Sequence, residues 1–263
     1  MQHIASRRNP LVTRCRELAR ELPDDVLLLD GFHLVSEAAA AHLAIRHVLV
    51  SQEALGRAEV RQLVDRLGQE GVEVVCATPS VMDAASPVRS ASDIVAISAR
   101  PATDLERLYA GDAPLVLIAA DVQDPGNLGA MVRVAEAGAA TGVVAAGVSA
   151  SPWGWKALRG SMGSAFRLPI AVQPGVPQAL DEARRRGCRI VATVPRGGQR
   201  PFDADLRGGV AILIGGEGAG LSPDLVEGAD LRVTIPMKAP VESLNAAVAA
   251  ALLIYEANRQ RTG

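Results

Sequence analysis

The stretch from Gly208 to Glu256, GGVAILIGGEGAGLSPDLVEGADLRVTIPMKAPVESLNAAVAAALLIYE, constrains the fold more tightly than any other part of the chain. A short apolar run, 210–214, has the length and β-branched content of a buried strand. It breaks into Gly215-Gly216-Glu217-Gly218-Ala219-Gly220. A second short run, 231–235, meets Pro236 and a loop. From Ser243 an Ala/Leu/Val-rich segment of helical character continues to Tyr255. Two strand ends, two loops and a helix start therefore lie close together in sequence. In open α/β sheets, ligands bind beyond the carboxyl ends of strands. These loops are where a small-molecule pocket is expected.

The glycines invite a nucleotide reading, which the spacing rejects. A phosphate loop needs Lys-Ser or Lys-Thr after its last glycine, and neither follows. A dinucleotide fingerprint starting at Gly216 meets Leu221 where glycine is required. Starting at Gly218, it meets Pro223. A plain tight turn, with glycine supplying positive φ, stands as the bland alternative.

Composition narrows the partners. Aromatic residues make up 3% of the 263-residue chain, too few for nucleic-acid binding by rows of stacked rings. A net charge of −2 argues against a uniformly basic binder and leaves room for a local basic patch. Cys15, Cys76 and Cys188 lie far apart and read as reduced thiols. The four histidines, His3, His33, His42 and His47, lack metal-ligand spacing, so no metal is expected. No signal-peptide apolar region and no run of membrane-spanning length occurs, so the expectation is a cytoplasmic protein away from membranes.

The segment 1–22 carries Arg7, Arg8, Arg14, Arg16 and Arg20 with Leu11, Leu18 and Leu22 between them. Asn9 can cap a helix here and Pro10 can occupy its first turn. It reads either as a solvated basic face or as phosphate contacts from arginine. Residues 26–100 alternate strands (26–29, 47–51, 72–76, 94–98) with helices (31–44, 57–69 and a short one from Thr78), a compact α/β unit. A polar stretch, 99–113, is the expected linker, with the boundary set between 1–105 and 106–263. Beyond it the pattern is βαβα: strands at 115–120, 142–146, 189–194 and 210–214, a loop at 124–127, and helices at 128–137 and 177–186. The expected sheet is mostly parallel. Arg184, Arg185 and Arg186 read as a solvated helix face. The loop 195–200, with Arg196 and Arg200, is basic.

Three ordered motifs then coincide: Asn127-x-Gly129-x-x-x-Arg133; Gly215-Gly216-Glu217-Gly218-x-Gly220-Leu221; and Ile235-Pro236-Met237 with Ser243-Leu244-Asn245. Together they resemble the SpoU/TrmH family of RNA 2′-O-ribose methyltransferases, of the SPOUT class. The likeness runs from Leu115 onward, and each motif alone is weak. One departure is Lys238-Ala239-Pro240, where the family often has glycine between its last two blocks.

The resemblance implies a C-terminal domain with a deep trefoil knot, S-adenosylmethionine as cofactor, and a homodimer formed through the last helix. It implies cofactor contacts from Gly215, Ile235 and Leu244, with Met237 and Ser243 nearby. It marks Arg133 as the catalytic arginine. A guanidinium is almost never deprotonated, so electrostatic activation of the hydroxyl suits it better than general-base duty. The alternative for Arg133 is an ion pair with Asp121, Asp124 or Glu136. Asn127 would orient Arg133 or the ribose, Glu217 would hold Arg133 or accept a proton, and Asn245 would cap the last helix or line the site. Residues 1–105 resemble the ribosomal-protein-L30e-like substrate domain that precedes the catalytic domain in many members. With Arg7 and Arg8 there, Arg159 and Ser161 are the expected RNA contacts. Ribosomal RNA is expected ahead of transfer RNA by analogy with that domain. Two rivals stand beside this reading: a catalytically silent RNA-binding protein on the same fold, and a nucleotide-dependent oxidoreductase.

Overall fold

The computed structural model describes residues 1–21, 25–218 and 220–263. Leu22 and Ala219 lie outside the described residues. The chain divides into two compact units: Met1–Ala102 with Trp153–Phe166, and Thr103–Pro152 with Arg167–Gly263. The first break lies between residues 102 and 103. The excursion at 153–166 has no counterpart in the sequence reading.

In chain order the elements are β1 (Gln2–Ile4), α1 (Pro10–Arg20), β2 (Val26–Asp30), α2 (Phe32–Ala40), β3 (Ile45–Ser51), α3 (Ala58–Gln69), β4 (Glu73–Ala77), α4 (Pro79–Ala85) and β5 (Ile94–Ala99). There follow α5 (Leu105–Leu108), β6 (Leu115–Ala120), α6 (Pro125–Ala137), β7 (Gly142–Ala146), α7 (Trp155–Ser161), β8 (Ile170–Gln173), α8 (Val176–Arg185), β9 (Arg189–Thr193), β10 (Val210–Gly215), α9 (Pro223–Glu227), β11 (Leu231–Val233) and α10 (Ala246–Thr262).

The first unit is built on a mixed sheet ordered β1-β4-β3-β5-β2. β1 and β3 run parallel to β4, while β5 runs antiparallel to both β2 and β3. β1 was not expected from sequence. Three residues show no alternation of their own, and pairing with β4 is what extends them. α1 forms as its caps dictate: the Asn9 side chain accepts from the Leu11 N–H, and Pro10 occupies the first turn. Its buried stripe is Val12, Cys15 and Leu18, which packs with Val81, Met82 and Ala85 of α4 against one sheet face. The arginines of this segment stay exposed.

At the end of β2 the Asp30 carboxylate is wholly buried. It accepts hydrogen bonds from Ser86 Oγ (2.7 Å), Ser92 Oγ (3.0 Å) and Arg159 (2.7 Å). A buried charge is tolerated only when paired and hydrogen-bonded. Arg159, on α7, is the cation that satisfies it, and α7 packs on β2. This ion pair is one of the contacts that join 153–166 to this unit.

The second unit holds a six-stranded, wholly parallel sheet ordered β11-β9-β10-β6-β7-β8. Every residue of β6 is buried, as expected of a parallel strand covered on both faces. α8 contributes Val176, Ala179, Leu180 and Ala183 to the core on one side. α6 and α10 pack together, and their approach is close at Gly138. A Cβ there would lie 2.3 Å from Ile254 Cγ2 and 3.5 Å from Tyr255 Cδ2. No helix among the described residues is long and apolar enough to cross a membrane.

Two outcomes are expected. Arg159→Ala leaves Asp30 buried with only two hydroxyls. Because Arg159 is itself half exposed, the expected loss is about 2–3 kcal/mol, below the range for fully buried pairs, read as a lower midpoint in urea unfolding. Gly138→Ala forces a methyl into Ile254. The expected cost is about 1–3 kcal/mol, and an unchanged melting temperature would show that α6 and α10 separate freely.

Candidate functional site

The carboxyl ends of β6, β7 and β10 are tied together by short hydrogen bonds. Asp121 follows β6 with φ 58, in the left-handed region. Its N–H donates to the Ala146 carbonyl at 3.1 Å, and its Oδ1 accepts the Val148 N–H at 2.8 Å. The Ser149 hydroxyl accepts the Val122 N–H at 3.0 Å and donates to the Ala146 carbonyl at 2.8 Å. The Gly216 N–H donates to the Ala120 carbonyl at 2.8 Å. Sequence reasoning missed Asp121 and Ser149 as organisers. In sequence Asp121 stands only as a candidate ion-pair partner of Arg133, and nothing around Ser149 signals its role.

Glycine makes this convergence possible. A Cβ on Gly216 would lie 2.0 Å from the Asp121 carbonyl oxygen. A Cβ on Gly215 would lie 2.5 Å from the carbonyl carbon of Gly220. The turn between them closes through an antiparallel bridge, Gly216 to Gly220, and presents Glu217 at its tip.

α6 begins earlier than its pattern suggests. Asp124 is its N-cap, accepting the Asn127 N–H at 2.7 Å, and Pro125 lies in its first turn. Asn127 is therefore the third residue of the helix rather than part of a loop. α10 begins later than expected. Asn245 caps it, with its Oδ1 accepting from Ala247 N–H (2.9 Å) and Val248 N–H (3.3 Å). The same side chain donates from Nδ2 to Asn127 Oδ1 at 2.9 Å. Asn127 Nδ2 in turn donates to Glu217 Oε1. One hydrogen-bonded chain, Asn245–Asn127–Glu217, thus joins two helix N-termini and the glycine turn. A carboxylate near helix N-termini is favoured by their dipoles.

The structure does not bring Arg133 into this chain. Six residues beyond Asn127 on a helix, it lies about 120° round the axis. It is exposed, and no hydrogen bond or ion pair joins it to any other described residue. The carboxylates that might tether it are engaged elsewhere: Asp121 with Val148, Asp124 with Asn127, and Glu136 with Arg167 (2.7 Å). Glu217, expected to hold Arg133, is held by Asn127 instead.

Of the residues expected at the cofactor, Gly215 ends β10 and the others follow β11. Thr234 leaves β11 tied to the loop 195–200: Gln199 N–H to Arg232 O (2.8 Å), Thr234 N–H to Gln199 O (2.8 Å), and Gly198 N–H to Thr234 Oγ1 (2.9 Å). From there the chain runs through Ile235 and Met237, half-buried, to Ser243 and Leu244, exposed. The backbone N–H groups of Ile235, Met237 and Leu244 have no hydrogen-bond partner among the described residues. Main-chain donors left open in this way are available to a ligand with hydrogen-bond acceptors. Lys238-Ala239-Pro240 lies in this loop, and Val241 N–H closes a turn to Lys238 O at 3.2 Å.

Of the expected RNA contacts, Arg7 and Arg8 are exposed. Arg159 is held by Asp30, and Ser161 is 1% exposed with its hydroxyl donating to Leu158 O at 2.8 Å. Its hydroxyl is turned inward because α7 buries that side. Thiol chemistry is also disfavoured. Burial pushes Cys15 up to about 12 and Cys188 up to about 11, and raises Cys76 as well, so none is a ready thiolate.

The family model of the SpoU rRNA Methylase family matches residues 114–255. The chain is 30% identical over 258 residues to the 23S rRNA (guanosine(2553)-2′-O)-methyltransferase RlmP of Bacillus subtilis, covering 97% of this chain and 98% of that one. Among solved structures it is similar to the AdoMet-bound rRNA methyltransferase of Sinorhizobium meliloti, with a TM-score of 0.87, 25% identity and coverage of 100% and 99%. It is also similar to the SpoU methyltransferase AviRb of Streptomyces viridochromogenes in complex with AdoMet, with a TM-score of 0.86, 30% identity and coverage of 96% and 98%. With its three motifs converging on the carboxyl ends of one parallel sheet, the chain belongs to the SpoU rRNA methylase family.

Proposed function

We propose that this protein methylates a ribose 2′-hydroxyl of ribosomal RNA in the cytoplasm, with S-adenosylmethionine as donor and a homodimer as the working form. The Asn245–Asn127–Glu217 chain, beside partner-free backbone donors at the strand ends, is the observation that carries the reading. The name of the similar protein RlmP points to ribosomal rather than transfer RNA.

S-adenosylmethionine, when bound, supplies an electrophilic methyl group on a sulfonium. The residues of this chain supply the rest. Ile235, Met237 and Leu244 offer backbone donors, and Gly215 and Gly216 let the turn approach closely. Asn127 is fixed in orientation, with its oxygen toward Asn245 and its amide nitrogen toward Glu217. Glu217, exposed and ionisable, is the acceptor nearest the turn for the proton that the 2′-hydroxyl must lose. The guanidinium of Arg133 stabilises the developing alkoxide.

A second copy supplies that arginine. The outward face of α6 is Gly126, Ala130, Arg133 and Ala137, small residues around one cation. On neighbouring α10, Val248, Leu252 and Tyr255 repeat at helical spacing and are 48%, 46% and 52% exposed. Such a stripe on a soluble protein marks an interface. A two-fold pairing through it would carry each Arg133 toward the other copy's strand-end loops.

Four measurements test this reading. Radiolabelled methyl transfer should reach ribosomal RNA at an alkali-resistant linkage, with kcat for Arg133→Ala roughly 10²–10³-fold lower. Absence of S-adenosylmethionine binding in calorimetry would sink the enzyme reading. Leu252→Glu should sediment as a folded monomer with little activity. Mixing Arg133→Ala with Gly216→Val, each inactive alone, should restore up to about a quarter of the wild-type rate by forming one intact site in half of the dimers. No recovery would place Arg133 in its own chain's site.

A further inference from the structure

The first unit contains a cleft that none of the motifs touches. It measures about 450 Å³ and is bounded by β1, the start of α1 and the early residues of β3 and β4, within the ~300–1,000 Å³ range of small-ligand sites. Ile4, Val26 and Ile97, all buried, form an apolar floor. Arg14 and Arg46 stand at the rim, with Asn9 and His47 beside them. Arg46 is exposed and makes no hydrogen bond or ion pair with any other described residue. Arg14 holds only an exposed pair to Glu17 at 3.4 Å, worth little in water. His47 Nδ1 lies 2.9 Å from Glu73 Oε2, and Nε2 has no partner among the described residues.

An apolar floor with a cationic rim suits a planar base attached to a phosphate. The surroundings favour a polyanion over a free nucleotide. Arg7, Arg8, Arg16 and Arg20 also lie exposed on α1 and the segment before it, adding positive charge to the same part of the chain. Single-stranded RNA is recognised by splayed bases that stack on guanidinium planes, with phosphates held by neighbouring cations.

We propose that this cleft takes one unstacked nucleotide of the RNA substrate, with its base over Ile4 and Ile97 and with Arg14 and Arg46 on its phosphates. The proposal rests on the RNA methyltransferase reading and assigns the place where the first unit grips its substrate.

The full-length protein and a ribosomal transcript that it methylates provide the test. With 4-thiouridine in the transcript, ultraviolet cross-links should map to residues 2–14 or 46–47. Arg14→Glu combined with Arg46→Glu should raise KM for RNA roughly tenfold and lower the salt slope of binding by about two, while kcat at saturating RNA and S-adenosylmethionine affinity hold. Arg66→Glu, exposed on α3, serves as the control for net charge and should change KM far less. Cross-links confined to other regions, with the double variant matching Arg66→Glu, would overturn the cleft while leaving methyl transfer intact. Tight binding of adenosine monophosphate in the cleft, unaffected by competing RNA, would overturn it in favour of a small-ligand site. A wild-type protein that neither binds nor methylates RNA would bring down the functional reading itself, and the cleft with it.

Discussion

The carbonyl oxygen of Asp121 occupies space that a side chain at residue 216 would need, since a Cβ there would come within 2.0 Å. Much of the second unit's working end follows from this one contact. Because the backbone of β10 can run that close to the turn after β6, the glycine turn folds over the strand ends. Glu217 is then held at its tip, where Asn127 can reach it. Asn127 is in position because Asp124 and Pro125 start α6 immediately after the same turn. Asn245 closes the chain of hydrogen bonds because it caps α10, which packs on α6 at Gly138. Capping and site geometry therefore depend on the same side chains. A substitution at Asn245 would disturb helix and site together, so its effect on rate alone would not separate the two roles.

Charge is distributed to match the two tasks. The net charge is only −2, yet Arg7, Arg8, Arg14, Arg16 and Arg20 stand exposed within a few turns of chain. Much of the remaining positive charge is already spoken for: Arg167 by Glu136, Arg186 by Glu182 and Glu106, and Arg261 by the carbonyls of Leu206, Ala113 and Gly208. Cations that are paired within the fold contribute little to holding a polyanion. Arg133 and Arg46 are among the cations with no partner among the described residues, one beside an exposed apolar helix face and the other at the rim of a cleft.

Legibility in the sequence followed the physics of each element. β6 and β10 were readable because parallel strands buried on both faces are continuous apolar runs. The starts of α6 and α10 were misjudged because periodicity begins after the cap, whereas the first turn is set by Asp124, Pro125 and Asn245. α9 and α5 were missed, being too short for a helical period to show. The convergence of Asn127, Glu217 and Asn245 was anticipated only through motif order. The direction of Arg133, away from them, was readable from its six-residue spacing along the helix. Chain threading leaves no residue pattern, so the trefoil knot entered through family resemblance alone.

The excursion at 153–166 shows why a linear boundary misdescribes this chain. β2 is an edge strand whose last residue buries a carboxylate, and the cation that compensates it arrives from a segment between β7 and β8. A fragment ending at residue 105 would carry Asp30 with Ser86 and Ser92 but without Arg159, and would leave β2 without the helix that packs on it. The lost compensation is a buried charge, the most costly kind of vacancy in a small unit. The first unit is thus completed only by residues that follow β7, and its stability is tied to synthesis of the sequence around the site. Arg159 acts through this route, by holding together the unit that carries α1.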